Sequence, residues 1–138
     1  MLEIKIKGKV MANKNFVEQV VSFILGCSLE ELKELTITDI TRYFDVSKMH
    51  LIEKFKSQME ITPGKFILRE KMYRAASMME HNHALTVREV TGKIGFSTDD
   101  YFIRVFKKYF GTSPCQYRDI KLKVNKKALK SKWNDAKR

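Results

Sequence analysis

Two cysteines, two prolines and six glycines in 138 residues exclude several architectures at once. Cys27 and Cys115 form no metal-ligand or redox spacing, so a disulfide framework, a zinc ribbon and thioredoxin-like chemistry are excluded. Both are expected as reduced thiols in a cytoplasmic protein. No run of about 18 apolar residues occurs, so no membrane-spanning helix is expected. The opening MLEIKIKGKV lacks the apolar core of a secretory signal. No phosphate loop, dinucleotide fingerprint or nucleophile–base constellation is present, so neither an enzyme nor a cofactor is expected. Acid is also scarce: 16 Asp and Glu stand against 27 Lys and Arg, a net charge of +11. Such a surplus favours polyanionic partners, with nucleic acid ahead of an anionic membrane or an acidic protein.

What is present is a series of helical periods with clear punctuation. Hydrophobic residues make up 43% of the chain, enough for a packed core. Leu2, Ile4 and Ile6 alternate with charge, which is a strand pattern without a partner and predicts an arm. Asn15 to Ile24 reads as a helix with Phe16, Val20, Phe23 and Ile24 on one face and Gly26 as its stop. Ser28 with Glu31, Thr36 with Asp39, and Thr86 with Glu89 each place a hydroxyl three residues before an acid, the capping-box spacing. Asp45-Val46 predicts a tight turn before a helix capped by Ser47, with an apolar stripe of Leu51, Ile52 and Phe55. Pro63 suits a first helical turn, and Phe66, Ile67, Met72, Ala75, Ala76 and Met79 extend that helix to about His81. A polar loop follows. Gly95-Phe96 makes a second turn, Ser97 is expected to cap STDDYFIRVFKKYF, and Gly111 stops it. Ser113-Pro114 opens a last short helix through Tyr117, and a lysine-rich tail follows.

The strongest pattern is a self-match. At an offset of about 50 residues, Leu35-Thr36 meets Leu85-Thr86, Ile40 meets Val90, Thr41 meets Thr91 and Ser47 meets Ser97. At an offset of about 51, Leu51 meets Phe102, Phe55 meets Phe106, Lys56 meets Lys107 and Pro63 meets Pro114. The extra residue is expected near the start of the second copy's second helix. Each copy is helix, short turn, helix, proline, which suits a DNA-binding helix-turn-helix whose second helix enters the major groove N-terminus first. Free N–H groups and the dipole at such a start favour phosphate. The helix from Pro63 to His81 would be about 28 Å long at about 1.5 Å per residue. Successive major-groove segments on one DNA face lie about 34 Å apart. The expected fold is all-α, with two homeodomain-like helix-turn-helix subdomains joined by one long linker helix.

Residues 35–119 resemble the AraC/XylS family of bacterial transcription regulators. The resemblance is densest over IGFSTDDYFIRVFKKYFGTSP, Ile94 to Pro114, followed by Tyr117-Arg118, and extends through Ser47, Leu51, Phe55, Lys56 and Ala75. It implies a first helix-turn-helix at about 36–58, a linker helix at about 63–81 and a second helix-turn-helix at about 86–110. Residues 1–34 are left as an arm and helix of unclear role, and 120–138 as a basic tail. Base-facing positions carried over are Met49, Ile52 and Glu53 in the first unit, and Asp99, Asp100, Ile103 and Arg104 in the second. Arg104 leads, since arginine can pair bidentately with guanine. Lys48, His50, Lys54, Lys56, Lys107 and Lys108 are candidates for phosphate contact. The chain departs from the family pattern at Thr41 and Thr91, where small alanines are usual, and at Asp45, where a turn glycine is usual. It departs again at Glu53, at Lys54 and at Lys71, which replaces a linker arginine.

These features predict a sequence-specific, double-stranded DNA-binding regulator of transcription that binds as a monomer, and the resemblance implies an activator that acts at promoter DNA and meets RNA polymerase. The alternative is a protein-interaction regulator on the same scaffold, which the acids Glu53, Asp99 and Asp100 keep open. His81 and His83 flank Asn82 without further ligands, so no metal is expected. Met78 and Met79 read as core filler. Trp133 is expected to pack back on the domain.

Overall fold

A computed structural model describes residues 15–124, and the alternating segment 2–10 and the tail residues Leu129 and Trp133 lie outside them. The described residues are all-α. Seven helices run α1 (Phe16–Leu25), α2 (Leu29–Glu34), α3 (Ile37–Phe44), α4 (Lys48–Met59), α5 (Pro63–His81), α6 (Val87–Ile94) and α7 (Asp99–Phe110). An eighth, α8, occupies 114–124, so helix continues past Tyr117, where a shorter element was expected. The chain divides into two compact units, Met1–Lys71 and Met72–Arg138.

In the first unit, the spacing of apolar residues decides which faces turn inward. Val17, Val20, Phe23 and Ile24 on α1 meet Leu32, Leu35, Ile40, Leu51, Phe55, Phe66 and Ile67 in one buried cluster. Helix α3 packs on α4, and α1 packs on α4 as well. Residues 16–35 thus contribute side chains to the same core as the helix-turn-helix that follows them. Leu51 and Phe55, four residues apart, are fully buried, whereas Ile52 is turned away and only half-buried. The edge-on pairs Phe55–Phe66 at 5.5 Å and Phe16–Phe44 at 5.7 Å add aromatic contacts to this packing.

The second unit is smaller and more aromatic. Met72, Ala75, Ala76 and Met79 of α5 are buried, as are Val90, Ile94, Phe102, Val105 and Phe106. Helix α6 packs on α7. Phe106 touches Phe102, Phe110 and Tyr117 at centroid distances of 5.6, 4.6 and 5.4 Å. The buried residues of α5 therefore change allegiance along its length: Phe66 and Ile67 belong to the first unit, and Met72 to Met79 to the second.

Helix ends repeat between the units more faithfully than side chains do. Thr36 with Asp39 and Thr86 with Glu89 form complete capping boxes. Asp45 (φ 53°) and Gly95 (φ 81°) take the left-handed conformation that ends α3 and α6. The next N–H in each unit, from Val46 or Phe96, donates to the Thr41 or Thr91 carbonyl at 3.1 Å. Glu60 (φ 68°) and Gly111 (φ 77°) end α4 and α7 in the same conformation. Thr62 and Ser113 hydroxyls then accept from the Lys65 and Gln116 N–H groups at 3.2 Å. Gly26 is a different stop: it ends α1 at φ −80°, in the right-handed region.

One cap differs from expectation. Thr98, not Ser97, caps α7, its hydroxyl accepting from the Tyr101 N–H at 3.1 Å. Ser47 on α4 and Thr98 on α7 are therefore the equivalent pair, separated by the offset of 51. The extra residue lies in the turn, which is Asp45-Val46 in the first unit and Gly95-Phe96-Ser97 in the second. The departures at Thr41 and Thr91 also find an explanation. Each hydroxyl donates to a carbonyl of its own helix, Thr38 or Val87, at 2.8 Å. A polar side chain at the helix contact is thereby satisfied locally.

Burial sets a further local cost. Half-burial lowers the Lys71 ammonium below the ordinary lysine value of 10.5, with the Glu34 carboxylate opposing that shift. The unfolded chain therefore holds this proton more firmly, and the parent should gain stability as pH rises toward 10.5. Urea unfolding of Lys71→Met should show none of that gain. Glu60 stores a second cost, because a Cβ at positive φ is unfavourable and glycine removes it. After allowance for glycine's looser unfolded chain, Glu60→Gly should raise stability by about 0.5–1 kcal/mol in the same assay.

Candidate nucleic-acid interface

Each second helix of a pair begins at an exposed cap. Ser47 accepts from the His50 N–H at 3.1 Å, and both Ser47 and Thr98 are exposed. The core holds α4 by Leu51 and Phe55 and α7 by Phe102, Val105 and Phe106. Residues on the opposite side of each helix then face outward.

On α4 the candidates separate into two groups. Lys48, Met49, Ile52 and Glu53 line a shallow hollow of about 470 Å³ whose walls are almost wholly apolar. Met49 is 69% exposed there. His50 and Lys54, one helical turn apart, line a different hollow of about 310 Å³ with Asn15, Phe16, Val17 and Gln58. The His50 ring lies 5.2 Å from the Phe16 ring, so it leans on α1. Lys56 is exposed on the same helix.

On α7, Asp100, Arg104, Lys107 and Lys108 are exposed, and Asp99 and Ile103 are half-buried. Asp99 and Asp100 occupy the first turn, where the helix dipole favours negative charge by roughly 0.3–1 kcal/mol. Lys107 and Lys108 occupy the last turn, where it favours positive charge. The Arg104 guanidinium lies 5.5 Å from the Tyr101 ring centroid. Tyr101, exposed at 40%, was not among the residues picked out by sequence, although its three-residue spacing from Arg104 was a readable signal.

Arg118 closes the second unit from behind. Its Nε donates to the Met79 carbonyl at 3.1 Å, and its Nη2 reaches the Met79 sulfur at 3.2 Å and the Asn82 carbonyl at 3.4 Å. The same nitrogen donates to the Leu85 carbonyl. A forked cation thus gathers the loose carbonyls in the last turn of α5 and in the loop after it, and sets the entry into α6. Neither cysteine forms a disulfide: Cys27 is buried, its thiol donating to the Phe23 carbonyl at 3.3 Å, and Cys115 is exposed. Among the described residues no cluster of His, Cys, Asp and Glu could hold a metal ion, and no helix is long and apolar enough to cross a membrane.

Residues 40–120, more than half the chain, match the family model described as a helix-turn-helix domain. The chain belongs to the helix-turn-helix domain family. Among its relatives, an uncharacterized HTH-type transcriptional regulator of Bacillus subtilis, YfiF, is 33% identical over 86 residues. That match covers 62% of this helix-turn-helix chain but 27% of the Bacillus protein, so the chain spans about a quarter of that relative's length. A probable transcription factor of Proteus vulgaris, PqrA, is 26% identical over 106 residues, covering 77% of this chain and 85% of that protein. A solved C-terminal domain of the two-component response regulator yesN from Fusobacterium nucleatum is 27% identical, with a TM-score of 0.65. It covers 76% of this chain and 99% of that domain.

Arg118→Met should cost the helix-turn-helix domain about 2 kcal/mol in urea unfolding, because several carbonyls lose a charged donor together. Arg118→Lys should recover little, since an ammonium cannot span the same fork.

Proposed function

We propose that this chain is a sequence-specific, double-stranded DNA-binding transcription regulator of the AraC/XylS type. In this reading, α4 and α7 are the reading helices of two helix-turn-helix subdomains, and α5 is the stiff linker that spaces them over adjacent major-groove segments. One observation carries the reading: two equivalent helices each begin at an exposed, capped N-terminus and present an outward row of side chains, on a chain of net charge +11. The capped start suits close approach to phosphate, and the positive surplus supplies non-specific affinity.

Roles follow from chemistry and exposure. Met49 and Ile52 offer methyl and methylene groups that suit the thymine methyl, and Glu53 accepts from cytosine. Arg104 and Ile103 read the second segment, with Asp99 and Asp100 beside them. Lys48, Lys54, Lys56, Lys107 and Lys108 meet phosphates, which orient the protein without reading sequence. His50, leaning on Phe16, reaches phosphate from the flank of α4. The folded DNA-binding domain starts near Asn15 in this reading, because α1 and α2 share the core of the first subdomain. The regulator acts in the cytoplasm as a monomer on promoter DNA and activates by contact with RNA polymerase.

The apolar hollow at Met49, together with the acids Glu53, Asp99 and Asp100, favours the rival reading, a protein-interaction regulator with weak or no specific DNA binding. Selection from a random duplex pool separates the two, since enrichment of one sequence is expected and its absence would sink the DNA reading. Affinity for the selected duplex should fall steeply with added salt. Arg104→Ala should lose roughly 1–3 kcal/mol on that duplex and relax the preference at one base pair.

A further inference from the structure

A guanidinium that reads a base edge has to be held still before the DNA arrives. Arginine is long and rotamer-rich, and on an exposed helix face it samples many positions. Arg104 is exposed, yet it lies over the Tyr101 ring at 5.5 Å, inside the range of about 6 Å for a cation–π contact. Tyr101 is itself held, because its ring lies 5.0 Å from Phe96 with only 30° between the planes. Phe96 in turn meets the fully buried Phe102 edge-on at 5.9 Å. Its backbone N–H is tied to the Thr91 carbonyl at 3.1 Å. A ladder of rings therefore runs from the core of the second unit, through the turn, to the guanidinium.

The guanidinium carbon lies over the ring, and Arg104 makes no hydrogen bond within the described residues. Its N–H donors therefore stay available for bidentate pairing with guanine. The first unit has no counterpart: the residue equivalent to Arg104 is Glu53, and the one equivalent to Tyr101 is His50, whose ring turns to Phe16.

We infer that Tyr101, braced by Phe96, is a positioning residue that fixes Arg104 for guanine recognition, so that preference at one base pair depends on a ring that does not itself touch the base. This rests on the DNA-reading role of Arg104 proposed above. The test uses the full chain and a duplex selected from a random pool. Binding of that duplex and its single-base variants is measured for the parent, Arg104→Ala, Tyr101→Leu, Tyr101→Phe and the double variant Tyr101→Leu/Arg104→Ala. Tyr101→Leu should weaken discrimination by about 2- to 5-fold, at the base pair relaxed by Arg104→Ala and at no other. Tyr101→Phe, which keeps the ring, should retain parental discrimination. The double variant should discriminate no worse there than Arg104→Ala alone, as expected for two residues acting through one contact.

Parental discrimination in Tyr101→Leu overturns the inference, and so does an equal loss at every base pair, which marks general damage to the fold. Unaltered preference in Arg104→Ala overturns it while leaving DNA reading in place. A parent chain that enriches no sequence overturns both.

Discussion

The structure depends on how each helix stops. Backbone carbonyls at a helix end need donors, and the chain must also turn sharply enough for the next helix to pack back on the same core. A residue at positive φ meets both needs, and it occurs at Asp45, Glu60, Gly95 and Gly111. Two of these are not glycine, and the chain accepts that cost at the ends of α3 and α4. Once α3 and α6 are stopped and the caps Ser47 and Thr98 are placed, the facing of α4 and α7 follows from helical periodicity.

Charge then acts on a framework that packing has already set. Exposed Lys48, Lys54, Lys56, Lys107 and Lys108 lie on α4 and α7, while Asp99 and Asp100 occupy the one place on α7 where the dipole favours acid. Their presence on a helix proposed to read DNA therefore has a local reason as well as a chemical one. The two outward faces differ in kind. On α4 the outward surface is an apolar hollow edged by charge, whereas on α7 it centres on a cation resting on an aromatic ring. Sequence discrimination by the two subdomains would then draw on different physics, methyl contact in one and directional hydrogen bonding in the other.

Much of this was legible in the chain because caps and turns are local chemistry. Hydroxyl-to-acid spacings at Ser28, Thr36 and Thr86 identify helix starts, since the same three-residue reach closes each capping box. The apolar repeat from Phe66 to Met79 identifies α5, and every one of those residues is buried. Two adjacent hydroxyls defeated the same logic at α7. Ser97 and Thr98 can each cap a helix, and the choice depends on a turn one residue longer than its counterpart. The role of residues 16–34 is not legible in the sequence for another reason, since a helix shows that it has an apolar face but not which core receives it.

Local sequence determined the positions of helix starts and stops, the inward stripes, the duplication and the surplus of positive charge, because each depends on residues within a turn or two of one another. Tertiary structure decided the contacts made across longer distances. It assigned α1 to the first core, set Arg118 against the carbonyls at the end of α5, leaned His50 on Phe16, and braced Tyr101 through Phe96 against Phe102. Such contacts depend on which surfaces meet after the chain has folded back, and no periodicity records that.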